Sequence, residues 1–126
     1  MNKILIIEDD KFLRELMVRK FDTEKDFEIN TAVDGESGLR AMKKEKPDLV
    51  LLDLILPGIG GFDVLSKMKE DVILSGIPVI ILSNLGRQDD VEKGLSLGAV
   101  DYMVKAHFTP NEIVVKVRQV LSKTNN

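Results

Sequence analysis

The sequence has no cysteine and no long apolar run, and each absence excludes a class of protein. Without cysteine there is no disulfide framework and no thiolate metal site, which is typical of a reducing compartment. No apolar run approaches the roughly 18 residues that a membrane-spanning helix needs. Residues 1–3 lead directly into a short apolar segment without the features of a signal peptide. We therefore expect a cytoplasmic protein.

A strong charge of either sign is also missing. The 18 basic residues nearly balance the 21 acidic ones and leave a net charge of −3. This balance is unlike the basic surface that binds nucleic acid or anionic membranes, so we expect neither partner. No GxxxxGK[ST] phosphate-binding loop occurs, and the glycines at 58, 60 and 61 lack the third glycine of a dinucleotide-binding motif, because Asp63 occupies its place.

The apolar residues that are present predict alternating strands and helices. Short continuous apolar runs, typical of strands covered on both faces, lie at 4–7, 49–52 and 79–82. Two further strands are predicted at 27–33 and 100–104. Apolar residues at helical spacing fill the segments between them, including a weaker stripe of Val91, Leu95 and Leu97 interrupted by Gly94.

The length of 126 residues fits a single domain, which we expect to span residues 1–122, with a frayed tail at 123–126. Five β-α units require a parallel sheet with helices on both faces, because right-handed crossovers carry each helix back over the sheet. We therefore predict a doubly wound, flavodoxin-like α/β fold with strand order 2-1-3-4-5. Such folds bind ligands at the carboxyl ends of strands 1 and 3.

Polar residues interrupt the predicted strands at that same edge. Two unit charges about 4 Å apart repel by about 4 kcal/mol at an effective dielectric constant of about 20, so clustered carboxylates there need a cation. Oxygen ligands without histidine or cysteine favour Mg²⁺ or Mn²⁺. The residues at the strand ends are Glu8, Asp9 and Asp10, then Asp53, then Ser83 and Asn84, and finally Lys105.

Each of these residues also has an ordinary structural explanation. Asp9 or Asp10 would serve equally well as the cap of the first helix. Ser83 alone is more often a loop hydroxyl than a ligand, and Lys105 alone is usually solvated. Their convergence on one edge of the sheet is what favours a functional site.

In order and spacing, four segments of the chain resemble the receiver domain of two-component response regulators, including single-domain chemotaxis regulators. The segments are ILIIEDD, PDLVLLDLILPGIGGFDVL, PVIILS and GAVDYMVKA. The resemblance implies that Asp53 accepts a phosphoryl group from a phosphohistidine of a sensor kinase or phosphotransfer protein. It also implies a signalling module without separate substrate turnover.

The same resemblance implies a role for each site residue. Mg²⁺, or Mn²⁺ in its place, is held by Glu8, Asp9, Asp53 and the backbone carbonyl of Ile55. Ser83 is the switch hydroxyl, Lys105 contacts the phosphoryl group and Tyr102 is the aromatic switch. A downstream protein target is expected to bind the face formed by the fourth helix, fifth strand and fifth helix.

Three positions depart from the family pattern. Ala106 stands where the family has a proline after a cis bond, and because a cis bond before alanine costs about 3 to 4 kcal/mol we predict a trans bond or a rearranged loop. Asn84 stands where the family favours a small residue, so it should narrow access to Asp53 or contribute a hydrogen bond to the phosphoryl group. Ile55 places an apolar side chain where a polar one could guide water, which predicts a longer-lived phosphoaspartate.

Two other functions stay open on the sequence alone. A haloacid-dehalogenase-like phosphohydrolase uses the same residue types, but it places its nucleophile at the first strand, where this chain has Glu8-Asp9-Asp10. A pseudo-receiver that uses the fold only to bind proteins is compatible with Asn84 and Ala106.

Overall fold

The computed structural model describes residues 1–124, in which strands and helices alternate along the chain. No helix in this range is long and apolar enough to cross a membrane. The elements are β1 (Asn2–Ile7), α1 (Lys11–Asp22), β2 (Phe27–Ala32), α2 (Gly35–Lys44), β3 (Leu49–Leu52), α3 (Gly61–Glu70), β4 (Val79–Ser83), α4 (Gln88–Ser96), β5 (Asp101–Val104), a 3-10 turn (Lys105–His107) and α5 (Pro110–Thr124).

The strands form one parallel sheet in the order β2-β1-β3-β4-β5, which confirms the predicted fold class. In its register Ile7 lies beside Leu52, and Leu52 beside Ile81. At the outer edge Ser83 lies beside Val104. The carboxyl ends of β1, β3, β4 and β5 are therefore aligned, and the residues that follow these strands meet at one edge of the sheet.

Alternate residues of the central strands pack into two separate apolar layers. Leu5 and Val50 face the layer completed by α2 and α3, whereas Ile4 and Leu51 face the layer completed by α1 and α5. Full burial of one such side chain contributes about 1.5–3 kcal/mol. Because both faces are covered, continuous apolar strands are favoured over alternating ones, as the sequence indicates.

Local hydrogen bonds cap the beginnings of two helices, and one of the two caps is Asp10, for which the sequence analysis left that role open. The carboxylate of Asp10 accepts from the Leu13 N–H at 2.9 Å, so Asp10 caps α1. Thr109 and Glu112 form the capping box of α5, with the Thr109 N–H 3.0 Å from Glu112 Oε1 and the Glu112 N–H 3.2 Å from Thr109 Oγ1. Residues 1–124 contain no cis peptide bond, so the bond before Ala106 is trans, as predicted.

The end of the domain differs from the prediction. Helix α5 continues through Lys123 and Thr124, two residues past the predicted boundary at residue 122. The apolar stripe of α5 extends to the buried Leu121, and the turn that buries it carries the helix onward. The remainder of the predicted tail, residues 125 and 126, lies outside the described residues.

Helix α4 also packs differently from its predicted apolar stripe. Its buried residue is Gly94, whereas Leu95 is 45% exposed. A β-carbon added at Gly94 would lie 2.5 Å from Ile81 Cδ1, so the backbone of the helix itself approaches the sheet at this point. The glycine that interrupts the stripe is thus the residue that makes the contact.

A surface ion-pair cluster joins α5 to the loop between α1 and β2. The Arg118 guanidinium donates to both carboxylate oxygens of Asp26 and to Glu24 Oε1 at 3.0 Å, and it lies 4.8 Å from the centre of the Phe27 ring. Hydrogen bonds from Arg118 lower the pKa of both carboxyls. Carboxyls with lowered pKa values stabilise the fold above their unfolded pKa values and lose that contribution as the pH falls.

We predict that Arg118→Ala lowers the thermal midpoint slightly at pH 7, and that its difference from the parent shrinks as the pH falls through the usual pKa values of 4.5 and 3.8. The effect is small because exposed pairs are screened by water. Thermal unfolding followed by circular dichroism from pH 7 to pH 3 measures it, with the exposed Arg19→Ala as control. If the difference in thermal midpoint does not change with pH, the stabilisation comes from stacking of Arg118 on Phe27 and not from the ion pairs.

Candidate functional site

The carboxyl edge of the sheet collects acidic and basic side chains from three strands. Glu8 follows β1, Asp53 follows β3 and Lys105 follows β5. The backbone connects the first two directly, because the Asp53 N–H donates to the Ile7 carbonyl at 3.1 Å. The parallel register thus brings the predicted residues together, as the sequence analysis anticipated.

The Asp53 carboxylate is 5% exposed and is fixed at both oxygens. Its Oδ1 accepts from the Leu54 N–H at 2.7 Å, and its Oδ2 accepts from Lys105 Nζ at 3.0 Å. Burial of an ionised carboxylate is tolerated when hydrogen bonds and an opposite charge compensate it. Asp53 meets both conditions.

Lys105 also binds Glu8, and this contact is the shorter of its two ion pairs. The distance from Lys105 Nζ to Glu8 Oε1 is 2.6 Å, and Glu8 is 2% exposed. Burial raises the pKa of the Glu8 carboxyl, and the hydrogen bond from Lys105 only partly offsets that effect. For Lys105 burial disfavours the charge, but the ion pairs with Glu8 and Asp53 outweigh it and raise the pKa of the ammonium. One ammonium therefore serves two buried carboxylates.

Three carboxylates at this edge are close enough to share a cation. Glu8, Asp9 and Asp53 each offer an oxygen within 4.8 Å of the others, and Asp9 is exposed at the rim. A set of carboxylate oxygens suits a hard divalent cation such as Mg²⁺. Ile55, whose carbonyl is the fourth predicted ligand, lies in the same loop, and its N–H is 3.4 Å from Asp53 Oδ1. The residues present fit such an ion.

Ser83 and Tyr102 meet through the backbone of Leu85. Ser83 is fully buried, and its Oγ accepts from the Leu85 N–H at 3.2 Å. The Tyr102 hydroxyl donates to the Leu85 carbonyl. Burial of the phenol, followed by the negative charge of Asp90, raises the pKa of Tyr102. The loop between β4 and α4 is thus tied to both predicted switch residues.

Two further side chains position the site, and the sequence analysis did not identify either. Arg14 of α1 donates to the Glu8 carbonyl at 2.9 Å and to the Asp9 carbonyl at 3.3 Å. Glu36 of α2 accepts from the Ile59 N–H at 3.1 Å in the loop that carries the predicted carbonyl ligand. All three bonds involve backbone groups, which leave no residue-specific signal in a sequence.

Gly61 fixes the other end of that loop by allowing the chain to approach β3 closely. A β-carbon at Gly61 would lie 2.3 Å from the Asp53 carbonyl oxygen and 2.6 Å from Leu54 Cα. Because both neighbours are backbone atoms, neither could move aside easily. The glycine therefore keeps α3 beginning directly beside the buried carboxylate.

Comparison with known proteins places the whole arrangement in one family. The family model described as response regulator receiver domain matches residues 4–118. A curated relative, the "DNA-binding response regulator MtrA" of Mycolicibacterium paratuberculosis, is 38% identical over 124 residues, covering 98% of this chain and 53% of the relative. The chain spans about half the length of the curated relatives it matches.

Solved structures agree with this match. A CheY-like response regulator receiver domain protein from Methanospirillum hungatei superposes with a TM-score of 0.91 over 99% of this chain and 97% of the other, and at 23% identity it supports the fold alone. The Mn²⁺-bound form of response regulator Rcp1 superposes with a TM-score of 0.80 at 26% identity, over 98% and 89%.

We predict that Lys105→Ala destabilises the protein by about 1–3 kcal/mol in the absence of divalent cations. Removing one partner of a buried ion pair costs about 3–5 kcal/mol, and the open side of this site lets water reduce that cost. Added Mg²⁺ should recover most of the loss, because a cation at the acidic cluster replaces the missing positive charge. Urea unfolding with and without Mg²⁺ measures both effects.

The matched control is Lys116→Ala, which removes a surface ion pair with Asp101. Exposed pairs contribute about 0–1 kcal/mol, so this variant should lose little stability and gain nothing from Mg²⁺ beyond the parent. Equal losses in the two variants would contradict the compensating role of Lys105.

Proposed function

Because the chain belongs to the family of response regulator receiver domains, we propose that Asp53 accepts a phosphoryl group from a phosphohistidine on a sensor kinase or phosphotransfer protein. The observation that carries this proposal is the geometry of the Asp53 carboxylate. Its buried backbone-bonded oxygen is held in place, while its other oxygen faces Lys105 at 3.0 Å. A fixed, ionised carboxylate beside a cation is a suitable nucleophile for phosphoryl transfer.

The proposed reaction exchanges one bond to phosphorus for another. A carboxylate oxygen of Asp53 bonds to phosphorus as the phosphorus–nitrogen bond breaks, and its electron pair returns to the imidazole nitrogen of the donor. A carboxylate is itself the nucleophile, so no general base has to remove a proton first. Lys105 would bind an oxygen of the transferred phosphoryl group, because its ammonium already contacts Asp53.

A divalent cation fits the acidic cluster, and we assign it to Glu8, Asp9 and Asp53 together with the Ile55 carbonyl. When bound, Mg²⁺ or Mn²⁺ would neutralise the charge that develops on the phosphoryl oxygens. The Mn²⁺-bound form of Rcp1, a structure of the same fold, supports this assignment. Arg14 keeps the first two ligands in place through their backbone carbonyls.

The output of the proposed switch is a change at the edge of the sheet formed by α4 and β5. The Ser83 hydroxyl would donate a hydrogen bond to a phosphoryl oxygen, since the hydrogen bond from Leu85 uses only a lone pair of that hydroxyl. Tyr102 would respond through the same loop and alter the face formed by α4, β5 and α5. A downstream protein would bind that face.

The remaining parts of the proposal concern the setting of the switch. We place the protein in the cytoplasm and expect it to act by its own phosphorylation and dephosphorylation without turning over a separate substrate. The mycobacterial relative is named as DNA-binding, but this chain matches about half of that protein. Direct contact with nucleic acid is therefore not part of the function proposed for this domain.

Labelling with a small acyl phosphate and Mg²⁺ tests the acceptor. We expect one acid-labile phosphoryl group per chain, detected as a mass increase of about 80 Da. The variant Asp53→Asn should abolish the label, because its amide is not a nucleophile. Asp10→Asn should keep it, because Asp10 caps α1 and lies outside the cation cluster.

The other outcomes identify the two competing functions. Rapid multiple turnover of a phosphate ester would favour a phosphohydrolase of the haloacid-dehalogenase type. A folded parent protein that takes up no label and binds no Mg²⁺ would indicate a pseudo-receiver that only binds proteins.

The side chain of Ile55 should set the lifetime of the phosphorylated state. It is 59% exposed beside the acceptor loop, and it offers no hydrogen bond to orient an attacking water. We predict that Ile55→Asn shortens the phosphoaspartate half-life severalfold, as measured by loss of the label over time. Ile73→Asn makes the same substitution at a residue that is 68% exposed in the loop after α3, and it should leave the half-life unchanged. Equal half-lives in Ile55→Asn and the parent would count against this role.

A further inference from the structure

Gly94 occupies the point where the backbone of α4, and no side chain, meets the sheet. It is the buried residue of this helix, and its neighbours Lys93 and Leu95 are exposed. Glycine is among the poorest helix formers and alanine the best, so local helix formation alone would favour alanine here. A conflict between local preference and the residue present points to a requirement of the packing.

The space above Gly94 is filled by the side chains of two strand residues. A β-carbon at Gly94 would lie 2.5 Å from Ile81 Cδ1, and 3.1 Å and 3.4 Å from Cδ2 and Cε2 of Tyr102. The first distance is too short for any real contact, and the second is tight. The ring of Tyr102 therefore lies inward against a bare stretch of helix backbone.

At the other end of the Tyr102 side chain, the hydroxyl donates a hydrogen bond to the Leu85 carbonyl. The Leu85 N–H donates to Ser83 Oγ at 3.2 Å. Leu85 is thus held through both of its backbone groups, and the Tyr102 hydroxyl is held against the loop between β4 and α4. Contacts at the two ends of the ring, Gly94 and Leu85, define its position.

We propose that Gly94 is a positioning residue for Tyr102, whose ring packs against α4 because this helix position carries no side chain. The importance of that position for signalling rests on the function proposed above. The position itself does not, since the contacts that define it involve neither Asp53 nor a cation.

Of the groups around Gly94, the Tyr102 ring is the one best able to move. Ile81 is fully buried between the strands and α3, so its displacement would disturb the core. Helix α4 is held toward α3 by Lys93, whose Nζ lies 4.5 Å from the centre of the Phe62 ring. The ring of Tyr102, by contrast, is partly exposed and packs at the edge of the core, and its hydroxyl bonds to the Leu85 carbonyl.

The composition of the chain supplies a direct test. Tyr102 is the single tyrosine and there is no tryptophan, so intrinsic fluorescence and its quenching by acrylamide report on this ring alone. In Gly94→Ala we expect the quenching constant to rise severalfold. The pKa of the phenol, raised by burial in the parent, should fall toward its usual value of 10.0. Circular dichroism should stay unchanged.

Gly76→Ala is the matched control, because a β-carbon there would meet no atom within 4 Å. It should leave tyrosine quenching as in the parent. A second variant, Ile81→Val combined with Gly94→Ala, removes the atom in the 2.5 Å contact and keeps the contacts with the ring. We expect the ring to stay accessible in this double variant.

Two results would overturn the inference. Parent-like quenching in Gly94→Ala would mean that α4 shifts and the ring does not. Restored shielding in the double variant would mean that Gly94 accommodates Ile81 and not Tyr102. Neither result bears on the acceptor role of Asp53, which fails separately if the parent protein takes up no phosphoryl label.

Discussion

The ammonium of Lys105 balances two carboxylates, Glu8 and Asp53, that are both almost fully buried at the carboxyl edge of the sheet. Without it or another cation, the cost of keeping two like charges in so little water would be several kcal/mol. This requirement constrains the sheet, because Lys105 follows β5 at one edge whereas the carboxylates follow the central strands β1 and β3. The lysine must reach across the end of β4, the strand that ends at the buried Ser83.

Much of this arrangement could be predicted from the sequence because it follows from strong, repetitive physical signals. Apolar runs at 49–52 and 79–82 identify strands covered on both faces, and five β-α units leave few possible topologies. Parallel register then brings polar residues at the strand ends to one edge, which is how Glu8, Asp53 and Lys105 could be grouped. The roles assigned to these residues depend on resemblance to a family and stay predictions.

The parts that could not be predicted depend on backbone atoms or on the absence of a side chain. Arg14 and Glu36 hold the two loops of the site through carbonyl and N–H groups, which every residue possesses. Leu85 joins Ser83 to Tyr102 in the same way. In α4 the sequence predicts packing through an apolar stripe, but the contact is made by Gly94, whose significance becomes visible only when its neighbours are known.

The helices differ in how firmly they are held, and this difference determines where a conformational change costs least. Helix α1 buries Met17 and Phe21, and α5 buries four apolar side chains and is joined to the α1–β2 loop by Arg118. Helix α4 buries only a glycine, and its preceding loop depends on two hydrogen bonds to Leu85. Regions with few buried apolar contacts open and rearrange at the lowest free energy. A charge added at Asp53 would therefore be relieved on the α4 side, because movement there breaks hydrogen bonds at one loop while the two apolar layers stay intact.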